Sequence, residues 1–123
     1  MNPALVPYPP HIRRAALIVA ALMALAIGYF SLVPPGEAPA PQISDKIRHF
    51  GAYAMLAVPV AMWFGPGRIA AALVVATYGA GLEVAQAFAG TGREGSLADG
   101  LANALGAAAG YLLVLFIART RRN

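Results

Sequence analysis

Four long apolar runs, separated by proline- and glycine-rich breaks, constrain this chain more than any other feature. Ala15 to Val33 carries no charge at all. As a helix, a run of about 20 such residues crosses a hydrocarbon core of about 30 Å. Ile47 to Phe64, Ile69 to Gly90 and Leu97 to Ala118 follow in the same style. Over the whole chain 59% of residues are hydrophobic and only 11% charged, where soluble domains carry about 25% charged residues. These runs predict an all-α integral membrane bundle: one domain over 1–123, with four transmembrane helices at about 15–33, 47–64, 69–90 and 97–118 and the bilayer as its first partner. A cleaved signal peptide is the rival reading of the first run, since Arg13 and Arg14 precede it and Ala38-Pro39-Ala40 resembles a cleavage site. The run exceeds the roughly 7–15 residues of a signal core, and Pro41 would follow the cut. It is read as a span.

The breaks set the topology. Asn2 to Pro10 holds Pro3, Pro7, Pro9 and Pro10, so residues 1–14 are expected to form a disordered tail. Pro34, Pro35, Pro39 and Pro41 make an extended linker, while Gly65-Pro66-Gly67 and Gly90-Thr91-Gly92 make tight turns. Short connections imply antiparallel neighbours and an up-down bundle. Arg13, Arg14, Arg68, Arg119, Arg121 and Arg122 fall on one side, against Lys46, Arg48 and Arg93 on the other. Cations accumulate on the cytoplasmic side, so both termini are expected there. The net charge of +4 is scattered and forms no basic patch, which argues against a nucleic-acid partner. The absence of cysteine excludes disulfides and thiolate metal sites.

Polar residues sit inside these runs or at their entries, and within a run a charge costs several kcal/mol unless something requires it. They are Asp45, Lys46, His49 and Tyr53, then Glu83 and Gln86, then Arg93, Ser96, Asp99 and Asn103. At 100° per residue, Asp99 and Asn103 share a face with Gly106 and Gly110, and Glu83 with Gly79, Ala80 and Ala87. Tyr53, Glu83 and Asn103 each lie about 9–10 Å below the outer ends of their spans at 1.5 Å rise per residue. Matched depths predict one shared polar pocket opening outward, with Pro59 placed to kink the second span beneath it. Gly106-x-x-x-Gly110 signals close helix approach, inside the bundle or between copies in a homo-oligomer.

Each residue also has a plainer reading. Ser96-x-x-Asp99 fits a capping pattern, and Ser44 or Asp45 can cap the second span. Tyr53 and Trp63 suit the membrane interface. Glu83 would be satisfied by an ion pair with Lys46, Arg48 or Arg93. Lys46 and Arg48 sit at the helix end that disfavours cations, so acidic partners are expected for both. No HxxxH and no second histidine within a span mark a metal centre, so neither metal nor cofactor is expected.

The order Asp45-Lys46-x-x-His49-Phe50-x-x-Tyr53, Glu83-x-x-Gln86 and Arg93-x-x-Ser96-x-x-Asp99-x-x-x-Asn103-x-x-Gly106 resembles the VanZ-like family of small bacterial membrane proteins. The resemblance covers about residues 44 to 112. Ala89-Gly90-Thr91-Gly92-Arg93 departs from the family's Pro-Gly-Arg by lacking the proline. The family is named for a protein associated with teicoplanin resistance. The resemblance therefore implies a multi-pass protein of the bacterial cytoplasmic membrane with a role in the cell envelope.

Three functions compete. The preferred one is non-enzymatic: the pocket binds a lipid head group, a peptidoglycan precursor or a glycopeptide through the ten polar residues named above. The second is a membrane-embedded hydrolase or transferase acting on a lipid-linked substrate, with His49 as base and Glu83 or Asp99 as orienter or acid. Ser96 as nucleophile lacks a nucleophile-elbow context. The third is proton-coupled transport, which four short spans without discontinuous helices support least.

Overall fold

The structure is a computed structural model and describes residues 5–34, 42–90 and 96–121. The described residues form four helices and no strand: α1 (Pro10–Leu32), α2 (Asp45–Phe64), α3 (Ala70–Phe88) and α4 (Leu97–Thr120). The proline linker over 35–41 and the turn carrying Arg93 lie outside the described residues.

Helix α1 begins earlier than the apolar run suggests. Pro10 occupies its first turn, where a proline loses no helical hydrogen bond and its fixed φ suits the helix. Ahead of it, Tyr8 packs against the cluster built on Ala61, Ala71 and Val114, and the Arg121 guanidinium lies 5.4 Å from its ring centre. Leu5 and Pro7 stand against Gly67 and Gly65. The expectation of a disordered tail over residues 1–14 therefore needs correcting from Leu5 onward. Prolines keep residues 6–9 out of a helix but leave their side chains free to dock, and Pro10 opens α1.

The turn between α2 and α3 needs its glycines. Gly65 and Gly67 have φ of 109° and 81°, a region that side chains disfavour. Helix α2 continues across Pro59, which is buried.

Helices α2 and α4 make the most extensive contact, and α2 alone touches all three of the others extensively. Their closeness follows from two glycines. A Cβ on Gly106 would overlap the Phe50 carbonyl, and one on Gly110 would overlap the Ala54 carbonyl and come within 2.7 Å of the Ala57 Cβ. The motif that could have served a homo-oligomer is thus spent inside the bundle, buried against α2.

Helices α1, α3 and α4 are long and apolar enough to cross a membrane. Their outward faces carry exposed residues such as Leu22, Leu25, Leu105 and Phe116. Helix α2 is not among them, because Asp45, Lys46, Arg48 and His49 load its first turns. Its central position relaxes the demand for apolarity, since its neighbours cover much of its surface.

Candidate functional site

The first turns of α2 and α4 meet the last turns of α3, and the polar residues converge there. Ser96 is the N-cap of α4, and its Oγ accepts a hydrogen bond from the Asp99 amide at 3.1 Å. In a capping box the acidic residue three positions on would return to the N-cap amide. Here Glu83 of α3 does that instead: its Oε2 accepts from the Ser96 amide at 2.9 Å. A carboxylate at a helix N-terminus is favoured by the helix dipole. This substitution releases the Asp99 carboxylate from capping.

Asp99, largely buried, accepts through Oδ1 from Lys46 Nζ. Asp45 accepts through Oδ1 from Arg48 Nη2 at 2.9 Å. The two cations at the unfavourable end of α2 thus have the acidic partners expected of them. Ser44, the N-cap of α2, makes no side-chain cap.

His49 sits between these groups. Its Nδ1 lies 2.8 Å from Asn103 Oδ1 and 3.9 Å from Glu83 Oε1. Both are acceptors, so the ring proton belongs on Nδ1. The opposite nitrogen, Nε2, lies 3.6 Å from Asp45 Oδ2 and 3.7 Å from Asp99 Oδ2. Asp45, His49 and Asp99 each contribute one ligand-type atom to a group no more than 4.8 Å across, so they are the residues that could hold a metal ion. Asn103 is 1% exposed, and its Nδ2 has no hydrogen-bond partner among the described residues. Room for Asn103 depends on Gly79, where a Cβ would come within 3.0 Å of the Asn103 Cβ and 2.9 Å of the Tyr53 ring.

Not every candidate joins the cluster. Gln86 Nε2 donates to the Ser31 carbonyl of α1 at 2.7 Å, satisfying one of the carbonyls left open in the last turn of a helix. That bond ties α3 to α1 and leaves Gln86 apart from His49. Tyr53 is buried in the apolar core with Leu56, Ala57 and Val75, with its ring against Gly79. Trp63 lies at the opposite end, where its carbonyl accepts from Arg13 Nε at 2.8 Å. Arg93 lies outside the described residues.

A groove of about 460 Å³ between α1 and α2 adjoins the cluster. Its walls are mostly apolar, with Ile27 and Phe30 on the α1 side and Gly51, Ala52 and Met55 on the α2 side. Asp45, Arg48 and His49 supply its charged and titratable part, and Ser31 and Tyr53 also line it. Nothing in the residue pattern announced it, because a groove between apolar surfaces leaves no periodic signal.

The sequence model of the VanZ/LLP1 family matches residues 17–118. No curated protein and no solved structure matches the chain.

Proposed function

Since this chain belongs to the VanZ/LLP1 family, we propose that it is a multi-pass protein of the bacterial cytoplasmic membrane that binds a lipid-linked envelope molecule. The head group lies in the cluster of Asp45, Lys46, His49, Glu83, Asp99 and Asn103, and the chain lies in the groove between α1 and α2. One observation carries this reading: Asp45 and His49 belong both to the charged cluster and to the wall of an apolar groove. Such a continuous polar-to-apolar surface suits an amphiphile, whereas a purely structural ion-pair network has no need of an adjoining cavity. Lys46 and Arg48 would meet anionic groups, and the carboxylates would meet amides or cations.

In the same reading α2 is a fourth span, the bundle is up-down, and both termini are cytoplasmic, so the cluster opens outward. The six-to-three division of cations supports that orientation. Cysteine at Gln42 should react with an impermeant thiol reagent in intact cells, and cysteine at Gly67 should not. Labelling at Gly67 alone would turn the bundle over.

Binding is tested with a photoreactive polyprenyl pyrophosphate added to the purified protein. Crosslinks are expected at Phe30 and Met55, and Glu83→Gln or His49→Ala should remove them without lowering protein abundance. Equal labelling by a photoreactive phosphatidylglycerol would sink the proposed specificity. In a sensitised host the same variants should abolish any effect of the protein on teicoplanin susceptibility.

The contact of His49 with Asn103 on one side and two carboxylates on the other favours a second reading, a hydrolase or transferase acting on the same class of molecule. Cells expressing wild type and His49→Ala would then differ in the chemical form of their lipid-linked precursors. A binding protein would leave that chemistry unchanged.

A further inference from the structure

The two faces of the His49 ring are treated unequally. Nδ1 is met by two acceptors, Asn103 Oδ1 and Glu83 Oε1, so it carries a proton. Nε2 faces two further acceptors, Asp45 Oδ2 and Asp99 Oδ2, at 3.6 and 3.7 Å. Those separations are too long for hydrogen bonds and suit three atoms gathered around a shared cation. The charges around them also fall short: Asp45, Glu83 and Asp99 outnumber Lys46 and Arg48 among the described residues of the cluster.

The carboxylates are arranged in parallel fashion. Each gives its Oδ1 to a side-chain cation, Arg48 for Asp45 and Lys46 for Asp99, and each turns its Oδ2 toward His49 Nε2. Lys46 Nζ also approaches Asp45 Oδ2, at 4.0 Å. Outer partners that fix the far atom of every ligand are the usual second shell of a metal centre, and a histidine that donates its other N–H to a carbonyl is its commonest element.

We propose that Asp45 Oδ2, His49 Nε2 and Asp99 Oδ2 form a three-ligand centre for a divalent transition cation such as Zn2+. The spacing suits it. Metal–ligand bonds of about 2.0–2.2 Å in a tetrahedron put neighbouring ligand atoms about 3.4 Å apart, and the two nitrogen–oxygen separations are 3.6 and 3.7 Å. The widest separation is at most 4.8 Å, which a rotation of the half-exposed Asp45 side chain closes. An imidazole with two carboxylates suits zinc and its neighbours better than magnesium, which prefers oxygen ligands and water. The sequence hid the set because two ligands lie one turn apart on α2 and the third comes from α4. Asp45 and His49 also line the groove, so an anionic oxygen of a molecule held there would complete the coordination. That last step rests on the binding reading above; the centre itself does not.

The test measures Zn2+ binding by the full chain, purified in detergent without added lipid, freed of its affinity tag and stripped with chelator. We expect one Zn2+ per chain, retained against a large excess of Mg2+. Asp45→Asn, His49→Ala and Asp99→Asn should each weaken binding at least tenfold, while His11→Ala, which changes the other histidine, should not. Lys46→Met, which removes the outer partner of Asp99 Oδ1, should weaken Zn2+ binding about tenfold, whereas a purely structural network would show no change in metal affinity. Cobalt substituted into the wild type should show visible d–d absorption bands of a tetrahedral site, a readout independent of any variant's folding. Binding below one Zn2+ per chain, or unchanged binding in His49→Ala, would overturn the centre and leave the lipid-binding reading standing.

Discussion

Helix α2 presents two unlike faces to its neighbours. Toward α4 it is pressed so close that backbone carbonyls of Phe50 and Ala54 occupy the space where glycine lacks a side chain. Toward α1 it leaves a groove of about 460 Å³. The first face is built from small residues and pinned at one end by Lys46–Asp99 and His49–Asn103. The second faces Ile27 and Phe30 of α1, a helix in which only Ala16 and Ala20 are buried. The difference teaches that tightness and openness serve one end. Close packing of α2 on α4 fixes the charged side chains, and loose packing of α1 on α2 leaves a groove beside them, where the proposed ligand would enter.

The largest expected effect breaks the tight face. Gly106→Leu must displace backbone rather than a flexible side chain, so its cost should reach or exceed the upper end of the roughly 1–3 kcal/mol typical of overpacking. Thermal unfolding in detergent measures it. Leu112→Ala, at an exposed position on α4, should stay within about 0.5 kcal/mol. Equal stability of the two variants would show that the glycine contact is not what holds α2 to α4.

The next effect separates site from scaffold. Glu83→Gln keeps an oxygen for the Ser96 amide but loses the charge at the α4 N-terminus, a change worth about 0.3–1 kcal/mol. The protein should persist in the membrane while crosslinking to the polyprenyl probe disappears. Disappearance of the protein itself would make Glu83 a structural cap and nothing more.

The open face should respond in the opposite way. Gly51→Leu places a side chain in the groove, where a Cβ meets nothing within 4 Å. Stability should hardly move, but the crosslinks at Phe30 and Met55 should be lost. The smallest effect sharpens the same point: Gly51→Ala should stabilise by roughly 0.5–1 kcal/mol, the cost of glycine within a helix. A destabilised Gly51→Ala would mean that α1 closes onto α2 more tightly than described.

Much of this was legible from residue types and spacing. Apolar run lengths located the helices to within a few residues, apart from the start of α1, because burying a backbone in lipid demands helices of a set length. Spacing at 3.6 residues per turn placed Asp99 and Asn103 on the glycine face of α4; of the three residues read at equal depth, Tyr53, Glu83 and Asn103, the last two come together at His49, one turn from Tyr53. Family membership followed from the order of those motifs.

Partnership was decided only by the tertiary structure. Ser96-x-x-Asp99 reads as a cap in sequence, yet Glu83 takes half of that role from another helix and frees Asp99 for Lys46 and His49. Gln86 shares a motif with Glu83 but turns to α1 and answers the Ser31 carbonyl. The alternatives for Gly106 and Gly110, within the bundle or between copies, were equal in sequence until α2 occupied the stripe. The reason is physical. Helical periodicity is local and written in the chain, whereas which acceptor a carboxylate, amide or bare glycine surface meets depends on how neighbouring helices rotate and approach, and that is settled only when all four pack together.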